Sequence, residues 1–260
     1  MMDGQYYIDC INEGKCLYTR MLGCARGLKL HLGEIAWLES EPHGGPEYIF
    51  DINLTTGNVA ERAKEMITAI QQGRLPGYIL ISSLSQPHNL VEIFQANGFH
   101  VNQDDGSGMA MDLTGEVQDY LVPTSVQIMP VRDEKALAVW VELVNRALFG
   151  GELISYEQYL DMYRLANVTM NLGFVDGVPA ATSLVIDGDK NQLATVEQIS
   201  TLPEYRCRGL GTAITTVSLQ QMKRRGVKTA VMHANKAGEP IYRKIGFKSY
   251  FTLIEVFWPG

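Results

Sequence analysis

The sequence predicts an α/β protein of the α+β kind, a central mixed β-sheet with helices packed on its faces. Three observations lead there. Apolar runs with a period of two alternate with runs whose apolar residues recur every three or four positions. A loop with two glycines, residues 206–212, joins one such strand to the helix after it. The first half of the chain repeats, more loosely, the element order of the second.

The second half is the clearer one. Val126–Pro130 is a short strand, and Asp133 caps a helix whose Leu137, Trp140, Val141, Val144 and Leu148 share one face before Gly150-Gly151 ends it. Ser155–Leu165 is a second helix. Val168–Val175 runs into the two-residue hairpin turn Asp176-Gly177, and Pro179–Ile186 returns. After a turn at Asp187-Gly188-Asp189-Lys190, Gln192–Leu202 is a third strand. A helix covers Gly209–Arg225, a strand Val227–His233 and a short helix Gly238–Ile245, and Phe247–Trp258 supplies the final strands. In the first half, Val59–Gln72 is a helix ended by Gly73, Tyr78–Ile81 a strand, Leu90–Ala96 a helix and Met109–Leu113 a strand. Ile93–Phe99 matches Ile241–Phe247, each closing on Gly-Phe, which points to an internal duplication. Asp104–Gly108 reads as a turn cluster. With the polar stretch after it, this cluster marks a seam between two units, 1–123 and 124–260.

Composition narrows the function. The 260 residues are 46% hydrophobic and 20% charged, an ordinary globular balance. No run reaches the roughly 18 apolar residues of a spanning helix, so no membrane partner is expected. Asp3, Asp9 and Glu13 make the N-terminus unlike a signal peptide. The four cysteines show no metal-site spacing, which predicts reduced thiols, no metal and a cytoplasmic location. A net charge of −7 argues against nucleic acid. That charge is uneven. Residues 1–123 hold 7 Lys/Arg against 16 Asp/Glu, and 124–260 hold 15 against 13. The two halves therefore face different ligands or merely differ in how acidic residues solvate them.

The loop carries the chemistry. In Leu202-Pro203-Glu204-Tyr205-Arg206-Cys207-Arg208-Gly209-Leu210-Gly211-Thr212-Ala213, the glycines let backbone approach a ligand. First-turn N–H groups at the positive end of the helix dipole suit a pyrophosphate. No Gly-Lys-Ser/Thr follows, and Ile214 stands where a dinucleotide fingerprint has its third glycine. Arg206-x-x-Gly209-x-Gly211 resembles the acyl-CoA pyrophosphate loop of the GNAT acetyltransferase superfamily. Downstream, Asn235, Gly238, Tyr242 and Gly246-Phe247 are similar to that family's Asn-x-x-Ala-x-x-x-Tyr-x-x-x-Gly-Phe pattern, with glycine in place of the alanine. The resemblance spans roughly Val126–Trp258.

It implies a GNAT fold and acetyl-CoA as cosubstrate. Backbone of Ile199, Ser200 and Thr201 would hydrogen-bond the pantetheine arm like an added strand. Amides from Cys207 through Arg208, Gly209, Leu210 and Gly211 to Thr212 would hold the pyrophosphate, with charge from Arg206 and Arg208. Asn235 would contact the cofactor arm, and Tyr242 would protonate the departing thiolate. Glu197 is the expected base, placed by strand alternation on one face with Thr195 and Ile199 and half-buried against Val196 and Ile199. His233 is the runner-up. Lys223-Arg224-Arg225 is expected to cap its helix rather than reach phosphate. The first half has no counterpart to the loop near Thr55-Thr56-Gly57-Asn58, and Phe94 replaces the tyrosine. It is read as a degenerate GNAT-like unit forming part of the acceptor cleft or a homodimer face. The expected activity is acetyl transfer to a small-molecule amine or a peptide terminus. The alternatives are a longer acyl group on the same fold or an acyl-CoA sensor without turnover.

Overall fold

A computed structural model describes residues 4–41, 45–117, 122–189 and 192–260, and the side chains of 103–105 lie outside that description. The first half runs α1 (Gly4–Gly23), β1 (Leu28–His31), β2 (Ile35–Ser40), β3 (Tyr48–Ile52), α2 (Val59–Gln71), β4 (Tyr78–Ser82), α3 (Leu90–Ala96) and β5 (His100–Asp112). The second runs β6 (Val126–Pro130), α4 (Glu134–Val144), α5 (Tyr156–Tyr163), β7 (Val168–Val175), β8 (Val178–Asp187) and β9 (Leu193–Thr201). It closes with α6 (Leu210–Arg224), β10 (Thr229–Ala234), α7 (Glu239–Ile245) and β11 (Lys248–Phe257).

These strands form one sheet in the order β1-β2-β3-β4-β11-β5-β10-β9-β8-β7-β6. Parallel pairing occurs only at β3/β4 and β9/β10 among the described strands. Each half sends its last strand across the middle. β5 pairs with β10 from Thr229↔Asp112 to Ala234↔Ser107, and β11 pairs with β4 from Leu253↔Ser82 to Phe257↔Tyr78.

The exchange corrects two expectations. Residues 104–108 are strand, not turn, and that strand lies at the centre of the sheet. Gly106 and Gly108 serve packing. A Cβ on Gly108 would enter the Phe251 ring, and one on Gly106 would lie 2.8 Å from the Ala234 carbonyl oxygen. The final strands likewise merge into the single β11.

The repeat is visible in the backbone. At the end of α3, Gly98 has φ +85° and Phe99 N–H donates to the Phe94 carbonyl at 3.1 Å. At the end of α7, Gly246 has φ +124° and Phe247 N–H donates to the Tyr242 carbonyl at 3.0 Å. Phe94 thus occupies the place of Tyr242.

α4 starts where Asp133 accepts the Ala136 N–H at 2.8 Å. Leu137, Trp140, Val141 and Val144 are buried in the core as their spacing predicts. Leu148 is not. A π-helical turn, Asn145–Phe149, follows α4, and its wider winding rotates Leu148 off the buried stripe to 39% exposure. On the same face as α4 and α5, α1 lies across β9 and β10, with Leu22 in the core around Trp140 and the Tyr18 and Tyr159 hydroxyls 3.2 Å apart. Gly14 allows the approach, since a Cβ there would press on Val231 and sit 3.3 Å from Thr195.

Candidate active site

β9 and β10 pair only at Leu193, Ala194 and Thr195 and then diverge, so Glu197–Thr201 pair with β8 alone. The wedge between them opens into a groove of about 850 Å³. Its far wall is the loop into α6, where Cys207 and Gly209 take φ of +60° and +81°. No side chain caps α6, and its first main-chain bond runs from Ala213 N–H to the Gly209 carbonyl. The N–H groups of Leu210, Gly211 and Thr212 are left for a ligand. Gly211 is open by design of the groove rather than by packing, because a Cβ there would meet Ile241 at an ordinary 3.7 Å.

Twelve of the thirteen predicted residues line this groove: Glu197, Ile199, Ser200 and Thr201 on β9, Arg206, Cys207, Gly209, Leu210, Gly211 and Thr212 at the loop and helix start, Asn235 after β10, and Tyr242 on α7. Arg208 does not. It lies over the Tyr205 ring at 5.3 Å. Arg206 lines the groove but its guanidinium is engaged by protein. Its Nε donates to the Thr201 carbonyl at 3.1 Å and an Nη to the Ala147 carbonyl at 3.4 Å. Arg206 therefore braces the loop against β9 and the π-helical turn, and it occupies one of the strand carbonyls expected to face the pantetheine arm. The Ser200 hydroxyl is buried 2.6 Å from Thr182 Oγ1. Asn235 Oδ1 accepts the Gly238 N–H at 2.8 Å and so shapes the start of α7. The basic run ending α6 stays away from the groove. Lys223 Nζ donates to the Gly115 carbonyl, and Arg225 pairs with Asp187 at 2.6 Å.

Glu197 sits where this groove meets a second cavity of about 640 Å³, whose walls come from α1, the β2–β3 segment, β4, β5, β11, the π-helical turn, α5 and the ends of β9 and β10. Leu148, Glu197, Gln198, His233 and Asn235 belong to both spaces. The expected alternation fails here. Between Thr182↔Ser200 and Leu184↔Glu197, β9 has one residue more than β8, and Gln198 takes φ +51°. The bulge turns Ile199 onto the α6 side, where it packs with the cluster containing Leu210 and Ala213. Thr195 and Glu197 do share a face, with Thr195 Oγ1 donating to Glu197 Oε1 at 2.6 Å. Gln198 also enters the second cavity, its Nε2 donating to the hydroxyls of Tyr18 (2.6 Å) and Tyr159 (3.2 Å). Sequence reasoning missed this phenol wall, because no pattern linked α1 to β9. Burial pushes the Glu197 carboxyl up to about 7, against the Thr195 hydrogen bond.

Tyr242 is buried, 8% exposed, on the groove side. Burial first, and the Glu197 charge second, raise its hydroxyl well above the usual phenol range, so it stays a proton donor. Gly238 has a reason to replace alanine. A Cβ there would lie 2.7 Å from the Tyr242 ring and 3.1 Å from its hydroxyl. Burial first, and Lys15 second, push the His233 imidazole down to about 3, and its buried Nε2 has no hydrogen-bond partner among the described residues.

The equivalent wedge in the first half is filled. There β3 and β4 pair only at Ile49↔Ile79, and Gln86 occupies the gap, donating to the Ile52 carbonyl at 2.9 Å and accepting from Leu54 N–H at 3.0 Å. Asn58 caps α2 by accepting the Glu61 N–H at 3.3 Å. The adjoining loop holds the Glu34 carboxylate, bonded by Thr56 and Arg62 at 2.8 and 2.6 Å. Of the amides that open α2, Glu61 N–H is taken by Asn58, and the nearby Arg62 is already paired with Glu34.

Residues 180–250, which carry β9, the loop, α6, β10 and α7, match the family described as acetyltransferase (GNAT) domain. Over that segment the chain is similar to a GNAT domain. The GNAT fold extends beyond the matched segment. A GCN5-related N-acetyltransferase from Kribbella flavida is similar over 96% of both chains, with TM-score 0.69 at 17% identity. A second, from Sphaerobacter thermophilus, is similar over 87% of this chain and 81% of that one, with TM-score 0.64 and 14% identity. A tandem GNAT protein of the clavulanic acid biosynthesis pathway covers 94% of both chains at TM-score 0.58 and 12% identity. No curated protein matches the chain. Among the described residues no helix is long and apolar enough to cross a membrane, and all four cysteines are free.

Proposed function

We propose that the chain transfers an acetyl group from acetyl-CoA to a primary amine by direct attack within a ternary complex. The observation that carries this is the meeting of the two cavities at Glu197, with Tyr242 on the groove side and a separate space on the other. Acetyl-CoA fits the groove. Uncapped amides at the start of α6 suit its pyrophosphate, Gly211 leaves room beside them, and the unpaired edge of β9 suits an amide-bearing arm. What it supplies is an activated acyl carbon.

An acceptor arriving as ammonium gives one proton to Glu197, whose carboxyl near 7 is matched to that task. The freed amine nitrogen bonds the acyl carbon while strand amides around Ile199–Thr201 stabilise the oxygen that gains charge. The carbon–sulfur bond breaks, and the sulfur takes a proton from Tyr242. Glu197 releases the first proton to solvent, then takes the second proton lost from nitrogen and returns it to Tyr242, so amide, CoA thiol and one released proton are the products. Residues 1–123 act as the degenerate unit, closing the acceptor space rather than holding a second CoA, and 124–260 as the catalytic unit. Calorimetric titration with acetyl-CoA and longer acyl-CoAs, paired with a thiol-release assay on an amine panel, tests this. Tight acetyl-CoA binding with thiol release supports it, and binding without release from any amine favours a sensor.

A further inference from the structure

The second cavity is acidic. Glu47, Glu197 and Glu255 line it against one lysine among the described residues, Lys15 on α1. Lys15 gives its ammonium to the Phe50 carbonyl on β3, and burial lowers it to about 8. Glu197 and Glu255 receive only neutral donors, Thr195 Oγ1 at 2.6 Å and Asn102 Nδ2 at 3.0 Å. Neither makes an ion pair among the described residues. A carboxylate taken from water without a cation is costly, and a cationic ligand would offset that cost. His233 lines the same space with a buried Nε2 that has no hydrogen-bond partner among the described residues. A neutral imidazole has one nitrogen that accepts, and an ammonium N–H would satisfy it.

Glu197 and Glu255 stand far apart along this cavity. β11 lies three strands from β9, across β5 and β10, which is roughly 14 Å at about 4.8 Å per strand. Glu255 is offset further, because His233 and Phe251 both pair with Gly108 and Glu255 lies four residues beyond Phe251. Phenols occupy the interval. Burial first raises the Tyr48 hydroxyl, and Tyr18 and the Glu197 charge add to it. Burial first and Glu255 second raise the Tyr78 hydroxyl, and Tyr48 adds to it. Glu197, Tyr48, Tyr78 and Glu255 thus form a row in which each group feels the next. Leu22, Leu80 and Leu253 supply apolar surface beside it. The floor is the face of β5 and β11, each already paired on both edges, so it offers no free strand edge to a peptide backbone.

We propose that the acceptor is a linear polyamine, with one terminal amine at Glu197, its methylenes along the apolar wall and a distal ammonium at Glu255. This rests on the proposed transfer to an amine and names the acceptor. A monoamine leaves Glu255 without a cation, and an amino acid adds an anion to a space that already holds three carboxylates. Residues 1–123, with 16 Asp/Glu against 7 Lys/Arg, supply much of the wall and draw cations toward it. Phenol rings attract ammonium groups in the same way.

The test compares n-octylamine, 1,4-diaminobutane, 1,8-diaminooctane and spermine, in binding to the CoA-saturated protein and in CoA release from acetyl-CoA. Wild type favours the longer diamine or spermine over both n-octylamine and 1,4-diaminobutane by at least about tenfold in kcat/KM. Glu255→Gln removes that preference mainly through KM, Glu255→Asp keeps part of it, and unchanged acetyl-CoA affinity shows that the variants are folded. n-Octylamine equal to the long polyamines, a preference already complete with 1,4-diaminobutane, or one untouched by Glu255→Gln overturns the proposal while leaving acetyl transfer standing. Glu255-dependent binding of spermine without CoA release supports the site and overturns the transfer reaction instead. Failure of every polyamine to bind overturns the proposal outright.

Discussion

Replacing Glu197 by glutamine should make the protein more stable and less active, and the stability gain should depend on pH. The carboxyl is shifted from 4.5 to about 7 by burial. At about 1.4 kcal/mol per unit, the folded state carries a penalty of up to about 3 kcal/mol when Glu197 is ionised. The folded chain binds this proton more tightly than the unfolded chain. The penalty is therefore absent below pH 4.5, grows as pH rises, and is complete above about 7. Glutamine keeps the shape and can still accept from Thr195 Oγ1. Calorimetric melting of Glu197→Gln against wild type should show little difference near pH 4.5 and a rise of roughly 5–10 °C in Tm at pH 8. Turnover should fall by about 10²–10⁴-fold, and wild-type kcat/KM should climb through pH 7. A Tm gain that is the same at both pH values, or full turnover in the variant, would refute the placement of a buried, proton-accepting carboxylate there.

Other outcomes follow from the same geometry. Tyr242→Phe should lose about 10²–10⁴-fold in turnover while acetyl-CoA affinity in calorimetry stays unchanged. Gly211→Ala should fold normally, because its Cβ meets Ile241 at 3.7 Å, yet bind acetyl-CoA about tenfold more weakly. Gly238→Ala should lower both Tm and turnover by pressing on the Tyr242 ring, despite matching the usual family residue. Cys207 is exposed and lines the groove. Its rate of labelling by a thiol reagent should drop when CoA is bound, and mass spectrometry should place the protection at that residue.

Much of the second half was legible because its signals are local. The Asp133 cap, the Asp176-Gly177 turn and the α4 stripe each need only neighbouring residues, and all appear as expected. The groove was legible through one loop and one spaced motif. What escaped depends on contacts between distant segments. Gly106 and Gly108 look like turn formers until Phe251 and Ala234 are placed over them. α1 and β1–β3 went unassigned, since Gly14 interrupts an apolar pattern that makes sense only against β9 and β10. The bulge at Gln198 overrides strand alternation, and Tyr18 could not be tied to Gln198 before the helix was docked. Arg206 has the right charge for a phosphate but spends its donors on Thr201 and Ala147.

The most direct test of the whole account is calorimetric titration of the intact chain with acetyl-CoA. One molecule should bind per chain. Gly211→Ala should weaken that binding, whereas Thr56→Ala, in the filled wedge of the first half, should leave it unchanged. No binding, two sites per chain, or loss of binding on changing Thr56 while Gly211→Ala has no effect would contradict the assignment of the groove between β9 and β10.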